Sequence, residues 1–308
     1  MGRKLAAFAP ATIANFGPGF DILGAALEGI GDTVTVEVCE GSEVSLRSVD
    51  GDLGRLPRLS GSNTAAIAAR ETLKKAGVSV GLKIDLQKGL PIGSGLGSSA
   101  ASAAAAAYAT NRIIGSPLRR SELIGPCVKA EAIVSGHHAD NVAPALLGGM
   151  VAVRSLDPID VIRLPIPEGL AVVVVTPAME LSTKKARAAM PEKLTLSSSV
   201  QNSANLAAFV AACHSGDIGL LGRCVFDGIA TPARLPLVPG GSEVISRALE
   251  CGALGSAMSG AGPSIFALCR SRRSAEECGL AMSEGFAENG MGSVVRLSRL
   301  DCPGARII

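Results

Sequence analysis

Aromatic residues are scarce in this 308-residue chain: 3% in all, with no Trp and one Tyr. The lone Tyr108 offers no stacking platform for bases. The 29 Lys and Arg balance 27 Asp and Glu without forming a basic block, so nucleic-acid binding has no support. Long apolar runs are missing too. Leu170–Val175 is strand-length, well short of the ~20 residues of a membrane helix, and no membrane partner is expected. The opening MGRKLAAFAPATIANFGPGFD has no apolar signal core, and Ala6 stands where a myristoylation motif needs Ser or Thr. The eight cysteines contain no C-x-x-C pair, which predicts free thiols in a reducing cytoplasm and neither a disulfide frame nor a zinc site. With only three histidines, at 137, 138 and 214, a multi-histidine metal centre is not expected.

What is abundant is small or aliphatic. A core built from Ala, Val, Leu and Ile, with 37 glycines, permits close backbone approach. Strands are predicted over Lys4–Ala9, Thr33–Val38, Val44–Ser48 and Leu82–Leu86, the last alternating Leu82, Ile84 and Leu86 against Lys83 and Asp85, and later over Leu170–Thr176, Ala253–Met258, Ser264–Leu268 and Ser293–Leu297. Helices are predicted over Ser62–Lys75, Ser98–Ile114, Ser121–Ser135 (kinked at Pro126), Ser182–Ala189, Ser197–His214 and Ala275–Glu288. Strands and helices in groups indicate an α+β protein. The LPIP stretch at Leu164–Pro167 marks the expected link between an N-terminal domain, 1–165, and a C-terminal domain, 166–308.

Three glycine-rich stretches stand out. PIGSGLGSSAASAAAAAYA, from Pro91, sets a loop directly against an alanine-rich helix. Glycines let backbone N–H groups turn toward an anion, and a helix N-terminus adds its positive end, so this is a candidate phosphate site. No Lys follows its last glycine, so it is not a Walker A loop, and the G-x-G-x-x-G spacing is absent. The others are PATIANFGPGFD at Pro10–Asp21 and SGAGPS at Ser259–Ser264. Singly, they read as an irregular loop and a tight turn.

Together, in this order and spacing, the three resemble the signature motifs of the galactose, homoserine, mevalonate and phosphomevalonate (GHMP) kinase superfamily. The ANFGPGFD form, with HADNVAPALLGG at His138–Gly149 and STKKAR at Ser182–Arg187, resembles its homoserine kinase branch. The resemblance spans residues 5 to about 297. It implies a nucleotide-binding N-terminal domain, a ferredoxin-like C-terminal domain, an active site in the cleft between them, and a homodimer. The substrates implied are ATP and L-homoserine, the cofactor Mg2+, and the product O-phospho-L-homoserine, made on the way to threonine. Two alternatives stay open: another small-molecule kinase of the superfamily, acting on shikimate or pantoate, or a non-catalytic metabolite sensor.

Carried over residue by residue, the resemblance places ATP against Pro91, Ile92, Gly93, Ser94, Gly95, Leu96, Gly97, Ser98, Ser99, Ala100 and Ala101, with Asn63 near the adenine. Backbone donors are expected from Gly95, Gly97 and Ser98. Ser99 and Glu131 are the implied Mg2+ ligands, a hydroxyl and a carboxylate suited to a hard ion. Asn15, Asp21, His138, Asp140 and Gly260 fall on the substrate side, with Arg187 and Arg234 reading the homoserine carboxylate. Asn141 orients the acceptor hydroxyl without serving as a base, and Thr183 lies near the transferred group. Thr231 stands where relatives carry a Glu that orients the second arginine, which ranks Arg234 below Arg187.

Overall fold

The computed structural model describes residues 2–308. Strands β1 (Lys4–Asn15), β2 (Gly19–Cys39) and β3 (Val44–Asp50) are followed by helix α1 (Thr64–Ala76), β4 (Gly81–Gln87) and α2 (Ser98–Ile113). A 3-10 turn at Arg120–Leu123 leads into α3 (Ile124–Glu131) and α4 (Val142–Leu147), then the hairpin β5 (Met150–Leu156) and β6 (Ile159–Leu164). After Leu164–Pro167 come β7 (Ala171–Pro177), α5 (Thr183–Ala188), α6 (Leu196–Ser215), α7 (Ile218–Cys224), α8 (Ala230–Arg234) and α9 (Gly241–Glu250). The last elements are β8 (Gly255–Met258), β9 (Ile265–Cys269), α10 (Arg272–Glu288), β10 (Ser293–Ser298) and β11 (Arg306–Ile307).

The first sheet has seven strands, ordered β11-β1-β2-β4-β3, with β5 pairing a different stretch of β2 and β6 outside it. β2 is long enough to serve both partners: Thr33–Cys39 pairs β4, and Leu23–Ala25 pairs β5. The change falls where β1 shifts register between Pro10 and Thr12. Proline cannot donate to the ladder, so the strand bends there, and β1 carries Thr12 through Asn15 toward the second sheet.

The second sheet is antiparallel, ordered β10-β7-β9-β8, the 4-1-3-2 arrangement of a ferredoxin-like unit. The C-terminal segment is not confined to it. β11 returns to pair with β1, because that edge of the first sheet is otherwise open, so the expected division at 165 leaves the tail with the first sheet.

The alanine run packs between layers. Ala100, Ala101, Ala103–107 and Ala109 of α2 are fully buried, and the helix touches α1 on one side and β1 and β2 on the other. Alanine is the best helix former and lets both neighbours approach closely. Pro126 does not kink its helix. It occupies the third position of α3, within the first turn, where its missing N–H costs no helical bond, so the 3-10 turn and α3 are two elements. All eight cysteines are free thiols, and among the described residues no helix is long and apolar enough to cross a membrane.

Candidate active site

A cleft opens between the two sheets, with the Gly93–Ser99 loop as its floor. Gly97 caps α2 in the left-handed region at φ 64°, and no side chain caps the helix. The first N–H groups of α2, at Ser98 and Ser99, therefore have no intrahelical acceptor and are free for an anion. The loop is held from behind by the two other glycine-rich stretches. Thr12 N donates to Leu96 O at 3.1 Å, Ser264 N to Ser94 O at 3.2 Å, and Ser259 Oγ to Gly95 O at 2.7 Å. A Cβ on Gly95 would lie 2.5 Å from Ser259 O and 2.7 Å from Gly262 O, so only glycine fits there.

Below the loop, the C-terminal end of α3 turns Glu131 inward. Ser99 Oγ and Ser135 Oγ donate to Glu131 Oε2 at 3.0 and 2.7 Å, while buried Glu131 Oε1 has no partner among the described residues. Burial pushes this carboxyl up, against the two serine hydrogen bonds. Beside it, His138 Nδ1 and Asp140 Oδ1 lie 2.7 Å apart. Burial disfavours the charged ring, but Asp140, by hydrogen bond and charge, outweighs it together with Glu131 and Asp21 and pushes His138 up to about 9. Its buried Nε2 has no hydrogen-bond partner among the described residues.

Asn141, just before α4, is clamped on both sides. Thr12 Oγ1 donates to its Oδ1 at 2.6 Å, and its Nδ2 reaches Asp140 Oδ1 at 3.3 Å. The opposite wall comes from the end of β1, the turn after it and the start of β2, where Asn15, Phe16 and Asp21 all have positive φ (75°, 47° and 57°). Non-glycine residues persist in such conformations only when their surroundings hold them, which is common at functional sites. Here Asn15 Nδ2 donates to Gly260 O at 3.0 Å, and Arg187 Nη2 donates to both Asp21 carboxylate oxygens at 2.9 and 3.0 Å.

Arg234 differs from Arg187. It is only 3% exposed; its Nε donates to Ala186 O at 3.1 Å and its Nη1 to Gly260 O at 3.0 Å. No carboxylate lies within salt-bridge distance of it among the described residues, whereas Arg187 already has Asp21. Burial, and then the nearby Arg187 charge, lower its affinity for its proton. With Thr231 offering no carboxylate beside it, Arg234 is held by these two backbone carbonyls.

The structure brings together at the cleft Asn15, Asp21, Asn63, Ile92, Gly93, Ser94, Gly95, Gly97, Ser98, Ser99, Glu131, His138, Asp140, Asn141, Thr183, Arg187, Arg234 and Gly260. Pro91, Leu96, Ala100 and Ala101 do not line it; the last three point into the core because alternate loop and helix positions face away from the cleft. Asn63 is the N-cap of α1, its Oδ1 accepting from Ala65 N at 3.0 Å and its Nδ2 donating to Pro57 O at 3.3 Å. It shapes the Leu56–Pro57 wall with polar atoms already engaged.

Several residues were not foreseen: Phe20, Thr12, and the buried pair of Lys88 with Asp32 under the loop. Lys88 Nζ donates to Asp32, to Ser98 O at 2.9 Å and to Ser102 Oγ at 2.9 Å. A lone Lys after a strand and a lone Asp inside one carry no motif.

The family model for the GHMP kinases N-terminal domain matches residues 63–149, and that for the GHMP kinases C-terminal domain matches 209–288. The chain is 46% identical to a homoserine kinase of Arabidopsis thaliana over 98% of its length and 84% of the relative's. It is 39% identical to a homoserine kinase of Chlorobaculum tepidum, over 99% and 98%. The chain belongs to the homoserine kinase family. The crystal structure of a family member from Cytophaga hutchinsonii superposes with a TM-score of 0.96 at 42% identity, covering 100% of this chain and 98% of that one. A mevalonate diphosphate decarboxylase of Staphylococcus aureus, 16% identical with a TM-score of 0.74 over 100% and 98%, shares the fold alone.

Proposed function

We propose that the cleft holds ATP against the Gly93–Ser99 loop and L-homoserine at its Arg234 end, and transfers the γ-phosphoryl group to the homoserine hydroxyl. As a member of this family, the chain is a kinase that makes O-phospho-L-homoserine in threonine biosynthesis. The observation that carries the substrate assignment is Arg234: a buried guanidinium without a carboxylate partner, facing a cleft, calls for an anion. Asp21, His138 and Asp140 bring polar atoms within 4.8 Å of one another nearby, a setting for the substrate's other polar groups.

Phosphoryl transfer needs alignment and charge stabilisation more than covalent help. The free N–H groups at Ser98 and Ser99 and the α2 dipole stabilise phosphate charge. Asn141, clamped by Thr12, orients the acceptor hydroxyl and cannot take its proton, which leaves for solvent or phosphate. Thr183, capped into α5 by Ser182, borders the same space.

Mg2+ fits the Ser99–Glu131 pair on chemical grounds: both offer hard oxygen donors, and Glu131 Oε1 is buried without a partner. Bound there, the ion neutralises charge on the transferring phosphates. Glu131→Gln keeps the shape and removes the anion. It is expected to raise the Mg2+ needed for tight ATP binding by roughly 10-fold or more. Calorimetric titration of ATP at stepped Mg2+ reads this directly, and an unchanged Mg2+ dependence would remove Glu131 from the assignment.

Substrate identity is tested with homoserine and aminopropanol, the same molecule without its carboxylate. Wild type should strongly prefer homoserine. Truncating one partner of a buried guanidinium–carboxylate pair costs ~2–5 kcal/mol, so Arg234→Ala should lose roughly 30-fold or more in kcat/KM on homoserine. It should lose little on aminopropanol, because contacting partners are not additive. Equal losses on both substrates would show that Arg234 does not read the carboxylate. ADP release with shikimate and pantoate in place of homoserine separates the two other kinase readings.

A further inference from the structure

Two arginines that share one anion must be kept close before it arrives, although their charges repel. In this cleft a single aromatic ring, at the start of β2, lies close to both of them. Arg187 Cζ lies 5.3 Å, and Arg234 Cζ 5.0 Å, from the centroid of Phe20. Both fall within the ~6 Å at which an aromatic face attracts a cation. Phe20 lines the cleft and is half-buried, so its ring is not a core filler. Its neighbour Asp21, at positive φ, holds Arg187 from the side, and Gly260 O holds Arg234 Nη1. Each guanidinium is therefore fixed at one edge by a hydrogen bond and drawn to the same ring.

We propose that Phe20 is a positioning residue for substrate specificity: its ring gathers Arg187 and Arg234 into a preformed fork for the substrate carboxylate. Its expected effect is therefore on recognition of an α-amino-acid carboxylate through the two arginines it faces. This inference rests on the reading of Arg234 above and adds the element that pairs it with Arg187. An aliphatic side chain of similar bulk fills the space but has no negative π face, and leaves the two cations to splay apart.

The experiment uses the full chain with Phe20→Leu and Phe20→Tyr, each first shown by thermal melting to be folded. Losing an attraction shared by the buried Arg234 and the exposed Arg187 should raise KM for homoserine by about 10-fold in Phe20→Leu, with kcat and KM for ATP nearly unchanged. KM for aminopropanol should not move, and Phe20→Tyr, which restores the ring, should recover most of the homoserine affinity. Phe20→Leu weakening both acceptors equally would overturn the proposal, as would leucine serving as well as phenylalanine. If wild type itself shows no preference for homoserine over aminopropanol, the carboxylate reading of Arg234 fails, and the role of Phe20 falls with it. The wild-type comparison thus separates failure of that reading from failure of this one.

Discussion

Gly97→Val is expected to destroy nucleotide binding while leaving the chain folded. At φ 64° Gly97 lies in the left-handed region, where a residue with a Cβ costs ~1–2 kcal/mol. The larger problem is what the Cβ would meet: Thr12 Oγ1 at 2.0 Å and Asn141 Oδ1 at 2.8 Å. The hydrogen bond between those atoms has to break, which unclamps the side chain that orients the acceptor hydroxyl and strands a buried polar group at ~1–3 kcal/mol. That sum, about 2–5 kcal/mol, falls on folding stability; the functional loss comes from the displaced loop and the unclamped Asn141, and should be seen as weakened ATP binding by calorimetry and as lost turnover. Gly95→Ala provides the contrast. Its Cβ would strike main-chain carbonyls of Ser259 and Gly262, which cannot rotate away, so that variant should lose thermal stability first. A folded Gly97→Val enzyme with wild-type ATP affinity would reduce the loop to a structural turn.

The difference between these two glycines shows how far the sequence could be read. The loop itself was legible because glycine and small residues in a row act locally: they permit positive φ and close approach wherever they occur. What lies against each glycine was not, because the contacts are distant in sequence. Thr12 meets Asn141 across 129 residues, and Ser259 meets Gly95 across 164. The same holds for the arginines. Thr231 in place of Glu made Arg234 look poorly held, but the carbonyls of Ala186 and Gly260, which hold it, are contributed by backbone and carry no residue signature. In the fold, the β5–β6 hairpin was missed although Asp157–Pro158 marks its turn, as was α9, whose Val244 and Ala248 recur at helical spacing. Both signals were present. Phe20 left no such signal, since one aromatic beside an Asp says nothing about two arginines more than 160 residues away.

Asp32→Ala should be the most damaging single change to stability outside the hydrophobic core, and the reason lies under the phosphate loop. The side chains of Lys88 and Asp32 are 2% and 0% exposed. Besides Lys88, the Asp32 carboxylate accepts from Gly89 N at 3.0 Å, Leu90 N at 3.2 Å and Ser102 Oγ at 2.6 Å. Removing it leaves a buried ammonium without its counter-charge and two backbone N–H groups without acceptors. Breaking such a pair from one side typically costs ~3–5 kcal/mol, a large share of the ~5–15 kcal/mol that holds a domain together. Lys88→Met is expected to cost less, because the carboxylate keeps three donors. It should still weaken ATP binding, since Lys88 ties Ser98 O, in the first turn of α2, to the strand end below the loop. The double variant should be more stable than Asp32→Ala alone, because the stranded charge is gone. Urea unfolding of the three proteins measures this order. An Asp32→Ala protein within about 1 kcal/mol of wild type would mean that water or neighbouring dipoles already neutralise Lys88, the range expected of a solvated pair. A double variant whose loss equals the sum of the singles would mean that the two residues act independently, and that the phosphate loop rests on something other than this ion pair.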